Sequence, residues 1–174
     1  MTTDRPIAAF ETELGVCGVR WSRSGILGVE LPGPQTATWP GIEDGIAVPD
    51  AVRVAIDGIV AVLAGERRDL RNVRLDDRRI DPFRRSVYTA ARAIPPGSTV
   101  SYGHIARAIG RPDGAREVGV ALSRNPYPII VPCHRVVAAN GALTGFSAPG
   151  GIATKRRMLE LEGAPGYGQQ LLFV

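Results

Sequence analysis

The sequence predicts an α+β protein in two parts: a small antiparallel sheet with one helix, then a mainly helical unit. Three observations carry this expectation. Residues 6–31 hold short apolar runs separated by turn residues, as in a β-meander. Residues 50–63 and 83–94 repeat apolar side chains at i, i+3 and i+4, the helical period. Two shorter helical patterns flank Gly110-Arg111-Pro112-Asp113-Gly114, the spacing of a helix-turn-helix over 102–123. The expected units are residues 1–80 and 83–174, with the boundary at Asp81-Pro82.

In chain order, Ile7–Phe10, Val16–Trp21 and Ile26–Leu31 are the expected strands, turning at Glu13-Leu14-Gly15 and Ser22–Gly25. The Pro- and Gly-rich stretch 32–49 reads as a loop. Pro49-Asp50 opens a helix whose apolar face is Val52, Ala55, Ile56, Ile59, Val60 and Leu63, and Gly65 stops it. A short strand at Leu70–Leu75 completes the first unit. In the second unit Phe83–Ile94 is helical and ends at Pro95-Pro96-Gly97, and Ser101 caps a helix reaching Ile109. Ala115–Ser123 is the second helix of the pair. Ile129-Ile130-Val131 reads as a buried extended run leading into Pro132-Cys133-His134-Arg135. A Gly-rich loop over 141–151 and a helix over Thr154–Glu162 follow.

Composition narrows the function classes. Of 174 residues, 44% are apolar and 22% charged, which excludes a disordered or collagenous chain. Two Cys and two His are too few for a disulfide framework or a structural zinc site, so no metal is expected. No apolar run approaches the roughly 20 residues of a membrane span. The start MTTDRPIAAFETE lacks an apolar run after a basic one, so no signal peptide is read and a cytoplasmic location is expected. Charge is unevenly placed: residues 1–82 carry a net −3 and residues 83–174 a net +7. A compositional bias toward Arg explains why 20 of 21 basic residues are Arg, but not why acids are scarce in the second half. That asymmetry points to a polyanionic partner for the second half.

Within the helix pair, Ala115, Gly119 and Ala121 give the second helix a small surface suited to close approach of a duplex. Arg116, in its first turn, reaches past the helix end. Of the cysteines, Cys17 lies in a strand pattern and reads as core. Cys133 follows Pro132, which interrupts strand hydrogen bonding and exposes the turn. His134 and Arg135 beside it favour the thiolate, the nucleophilic form.

Around that centre the sequence resembles the 6-O-alkylguanine-DNA alkyltransferases, also called methylated-DNA–protein-cysteine methyltransferases. The resemblance covers about Phe83 to Gly163 and centres on Pro132-Cys133-His134-Arg135-Val136. Ser101-Tyr102, Ala115-Arg116, Val118-Gly119, Asn125-Pro126, Gly145-Phe146-Ser147 and Lys155 through Glu162-Gly163 flank it in the family's order. It implies a ribonuclease H-like first unit and a winged helix-turn-helix-like second one. It further implies direct repair of DNA by irreversible, one-for-one transfer of an alkyl group from 6-O-alkylguanine, and less well from 4-O-methylthymine, to Cys133. The partner implied is double-stranded DNA, held by its minor groove with the damaged base flipped out. No cofactor, obligate protein partner or oligomer is implied, so the expected species is a monomer, nucleoid-associated when on DNA.

The roles carried over are specific. His134 matches the base that takes the thiol proton through a water, and Glu162 the carboxylate that orients it. Asn125 matches the brace of the cysteine turn, and Tyr102 the proton donor to guanine N3 and the group that rotates the neighbouring phosphate. Arg116 matches the intercalating residue; Tyr102, Gly103, Arg111, Ala115 and Arg135 complete the implied DNA contacts. Ser147, Val136 and Lys155 are the implied pocket residues.

Two departures matter. Ala148-Pro149 lengthens the pocket loop relative to some members, which bears on alkyl size. The N-terminal zinc ligands of some members, and the fused phosphotriester domain of others, have no counterpart. Three alternatives remain open on the residues alone. One is a lesion-binding relative that transfers nothing, which usually replaces the nucleophile where Cys133 stands. The others are a redox-sensing helix-turn-helix regulator and an inert packed Cys-His in an α+β domain, for which Glu162 would be an ordinary solvated carboxylate.

Overall fold

The computed structural model describes residues 6–168. Strands β1 (Ile7–Thr12), β2 (Gly15–Ser22) and β3 (Gly25–Glu30) form an antiparallel sheet in chain order, paired Ile7↔Arg20 and Val19↔Val29. Gly25 closes the second hairpin at φ 140°, and a Cβ there would lie 2.6 Å from the Arg74 carbonyl oxygen. Both conditions require glycine. Helix α1 (Asp50–Leu63) lays Val52, Ala55, Ile56, Ile59, Val62 and Leu63 into the core.

The strand expected at Leu70–Leu75 does not form. Only Leu75 bridges Ile26, while Leu70–Val73 turns back on itself through a 3.1 Å bond from Val73 N to Leu70 O. The cause is Arg92, whose Nη2 donates to the carbonyls of Leu70, Arg71 and Val73 at 2.7–2.9 Å and takes the acceptors a strand partner would need.

Helix α2 (Pro82–Arg92) starts where the cap chemistry dictates, with Pro82 at its first turn and Asp81 Oδ1 accepting from Arg84 N at 2.9 Å. Ser101 caps α3 (Tyr102–Ala108) by accepting from His104 N at 3.1 Å. Helix α4 (Ala115–Ser123) follows at its expected bounds. Strands β4 (Val100–Ser101) and β5 (Val136–Val137) pair in parallel beside the helix pair. The last helix, α5 (Gly151–Leu161), begins three residues before the expected Thr154.

The run 129–131 is buried, as expected, but it is a turn and not extended. Val131 N donates to Tyr127 O at 2.8 Å, and Ile129 stands at φ 74°. A β-branched residue in the left-handed region is strained by about 1–3 kcal/mol. The Asn125 side chain holds it there, donating from Nδ2 to Val131 O at 2.8 Å while Oδ1 accepts from Tyr127 N at 2.9 Å.

One hydrophobic core runs through both halves, from Ala8 and Phe10 to Cys133 and Met158. Polar ties cross between them: Val29 N donates to Pro126 O at 2.9 Å, and the Tyr127 hydroxyl to Asp76 O at 2.8 Å. Among the described residues no helix is long and apolar enough to cross a membrane.

Candidate active site

The turn braced by Asn125 delivers Pro132 and then Cys133, first residue of a 3₁₀ turn over Cys133–Arg135. Pro132 does not expose this turn, as the sequence suggested: Cys133, His134 and Arg135 are all buried. Cys133 borders a cavity of about 250 Å³ that Tyr102, Asn125, Ser147 and Lys155 also line.

The neighbours do not activate the thiol in the expected way. His134 and Arg135 both turn to Glu162, and burial pushes the Cys133 thiol pKa up, against the lowering pull of the Asn125 amide and the Lys155 ammonium. Cys133 is therefore a thiol at neutral pH and must lose its proton as it reacts.

The next residue, His134, is tied to a carboxylate. Glu162, at the C-terminal cap of α5, is buried and not the solvated helix carboxylate of one alternative. Burial alone would raise its pKa. His134 and Arg135 outweigh that and hold it at about 2, so Glu162 is ionised. It accepts from Arg135 Nε at 2.9 Å and Nη2 at 2.7 Å, and from Gly97 N at 3.1 Å. His134 Nε2 lies 2.8 Å from Glu162 Oε1, and burial pulls the His134 pKa down, so the ring is neutral. An ionised carboxylate only accepts, so Nε2 carries the proton and Nδ1 the lone pair. That Nδ1 is buried with no hydrogen-bond partner among the described residues.

Two expected roles are corrected here. Arg135 is buried, donating through Nη1 to Ile94 O at 2.7 Å besides its bonds to Glu162, and it cannot reach DNA. Val136 is fully buried and does not line the cavity; only its carbonyl takes part, accepting from Lys155 Nζ at 2.7 Å. Lys155 is itself buried, its Nζ 3.4 Å from the Tyr102 hydroxyl and 5.7 Å from that ring's centroid. Ser147 Oγ donates to Ser123 O at 2.7 Å, fastening the pocket loop to the end of α4.

Arg116 stands exposed in the first turn of α4, and Arg111 is exposed over the Phe83 ring at 5.4 Å. Tyr102 and Gly103 open α3; Ala115 opens α4, and all three are half-buried. Gly119 faces Tyr102, where a Cβ would lie 3.8 Å from the ring. Ala121 is not on the outer face: it is buried, and its carbonyl accepts from the Tyr88 hydroxyl at 3.0 Å. Sequence reasoning missed Gly97, Thr144, Arg20 and Glu30. Gly97 meets Glu162 through a backbone amide and Thr144 meets Tyr102, while the other two line the cavity. No local motif marks contacts of that kind.

A buried thiol next to a buried His134–Glu162–Arg135 cluster, beside a helix pair with exposed arginines, fits a nucleic-acid-directed protein with cysteine chemistry. The comparisons with known proteins agree. Residues 82–164 match the family model for the 6-O-methylguanine DNA methyltransferase DNA binding domain. The chain is 47% identical over 125 residues to the methylated-DNA–protein-cysteine methyltransferases of Mycobacterium bovis and Mycobacterium tuberculosis, covering 72% of this chain and 73% of theirs. The Methanosarcina acetivorans protein of the same name is 43% identical over 126 residues, 68% of this chain and 78% of its own. Among solved structures, Mycobacterium tuberculosis OGT in complex with DNA superposes with a TM-score of 0.73 at 38% identity, covering 92% of this chain and 96% of that one. The Pyrococcus kodakaraensis 6-O-methylguanine-DNA methyltransferase gives 0.70 at 29% identity, covering 91% and 100%. The chain belongs to the methylated-DNA–protein-cysteine methyltransferase family.

Proposed function

We propose that this protein repairs DNA through Cys133. Direct reversal of damage by alkyl transfer from DNA to a protein cysteine is its activity. Its partner is DNA. The finer reading is carried by the family resemblance and is compatible with the site. The lesion is 6-O-alkylguanine, with 4-O-methylthymine a weaker substrate, presented as a flipped base from the minor groove. No nucleophile reaches an exocyclic alkyl carbon inside the stack, and flipping costs a few kcal/mol.

Once the base is in the cavity, the Cys133 proton passes through a water to His134 Nδ1, and Glu162 stabilises the imidazolium. Sulfur attacks the alkyl carbon in line; the S–C bond forms as the C–O6 bond breaks, leaving the electron pair on guanine. Tyr102 donates a proton to N3, so guanine departs neutral. The Lys155 ammonium, 3.4 Å from the phenol oxygen, stabilises the charge left there. The product is a thioether with no electrophilic centre open to hydrolysis, so each molecule acts once.

The observation that carries this reading is the unpartnered Nδ1 of neutral His134, held by Glu162 through Nε2. Cys133 in place of a non-nucleophilic residue favours transfer over lesion binding alone.

We read the three-stranded sheet and α1 as a ribonuclease H-like unit over 1–80, and residues 83–174 as a winged helix-turn-helix-like unit. The β4–β5 pair beside α3 supports the second description. We read the protein as a monomer. A DNA substrate supports a cytoplasmic, nucleoid-associated location. Incubation with a duplex carrying methyl-labelled 6-O-methylguanine, followed by peptide mass spectrometry, tests the chemistry. One label per protein on Cys133, abolished by Cys133→Ala, is expected. Label retained on DNA, or repeated turnover, would overturn the mechanism.

A further inference from the structure

The cavity bordered by Cys133 is not closed by the second half alone. Arg20 of β2, Val29 and Glu30 of β3, and Leu31 line it together with Phe146 and Pro149. Its position is fixed from several sides. Strand pairing sets Arg20 across from Gly28, where a Cβ would lie 2.7 Å from Arg20 Nη2, so the guanidinium occupies the space a side chain would fill. Glu30 Oε1 accepts from that Nη2 at 2.8 Å, with both side chains about one-third exposed (35% and 34%). Arg20 Nε is buried without a partner among the described residues. The strand is joined to the active-site turn by the 2.9 Å bond from Val29 N to Pro126 O. The lengthened loop packs on the same side: a Cβ at Gly33 would lie 3.3 Å from Pro149 Cγ.

We propose that the Arg20–Glu30 pair is a wall of the alkyl cavity and restricts the protein to small alkyl groups. The inference rests on Cys133 as the acceptor. A methyl group is the smallest alkyl and demands least of the cavity of about 250 Å³. A bulky apolar group pressed against it strips water from two charged side chains and returns no hydrogen bond. The first half thereby sets substrate range as well as supporting the fold.

The test uses free bases, which separate the pocket from DNA binding. Single-turnover rates with 6-O-methylguanine and 6-O-benzylguanine are read by the mass of alkylated protein. Arg20→Ala is expected to raise the benzyl-to-methyl rate ratio about tenfold. Glu30→Ala, which loosens the guanidinium, should raise it about threefold. Arg20→Lys keeps length and charge and should stay within about threefold of the parent. An Arg20→Ala ratio within about twofold of the parent, or an equal shift in the Lys and Ala variants, overturns the proposal. Absence of any label on Cys133 in the parent protein would overturn the acceptor assignment instead.

Discussion

Burial and three donors divide one charge between His134 and Glu162. The carboxylate keeps it because Arg135, the Gly97 amide and His134 all donate to it, and the imidazole stays neutral. The arrangement has a pH signature. In the unfolded chain His134 takes up a proton below its ordinary pKa of 6.5, whereas the folded state, with a lowered pKa, resists it. Stability is therefore full above 6.5 and falls as pH drops below it. Glu162 contributes in the same direction further down: its stabilisation is present above its ordinary 4.5 and lost as pH falls toward about 2. Urea midpoints at pH 7.5 and 5.5 check the first part, and equal midpoints would mean that His134 is not a buried neutral base. Glu162→Gln leaves the Arg135 guanidinium buried beside a neutral amide. A loss of about 3 kcal/mol, read from urea unfolding, is expected. At this scale the sequence exposes Cys133 and His134 through their motif. It misplaces Arg135, because adjacency in the chain does not reveal that the guanidinium turns inward to a carboxylate 27 residues away.

Among the elements, α4 shows how a helix separates its duties. Val118, Ala121 and Leu122 anchor it in the core, leaving Arg116 exposed at its start. Arg116→Ala removes an exposed side chain that makes no hydrogen bond or ion pair among the described residues, so stability should move by less than about 0.5 kcal/mol. Repair of duplex 6-O-methylguanine is expected to fall at least about tenfold, with reaction on the free base nearly unchanged. Equal losses on both substrates would remove the flipping role. Helix α4 was legible because the turn 110–114 precedes it and Asn125-Pro126 follows it, and α2 because Asp81-Pro82 is a strong start signal. The segment 129–131 was not legible. Its apolar run fits a buried strand, and the turn is imposed by Asn125, whose side chain binds both ends of it.

Across the whole molecule, charge and packing follow different divisions. The core is continuous, while the basic excess lies in residues 83–174. Arg107, Arg111, Arg116, Arg124, Arg156 and Arg157 are all exposed there. DNA affinity should fall steeply between 50 and 200 mM salt, each lost phosphate contact lowering the logarithmic slope by about 0.9. Arg111→Ala and Arg124→Ala should each reduce that slope by about one unit if they touch phosphate, whereas Arg68→Ala in the first half should leave it alone. Titrations at several salt concentrations measure it. The charge division was readable from residue counts. The shared core was not, because the ties from β3 to Pro126 and from Asp76 to Tyr127 join residues with no common sequence pattern.

The position of Glu162 also has a consequence for synthesis. Its carboxylate reaches back 65 residues to the Gly97 amide and 28 to His134, from the cap of the last helix. A growing chain that has already emerged past Cys133 thus holds an ordinary cysteine, with no fixed base behind it. The nucleophile is completed only when the ribosome has released α5. Cys133 thus acquires its reactivity only after the segment carrying Glu162 has itself been made.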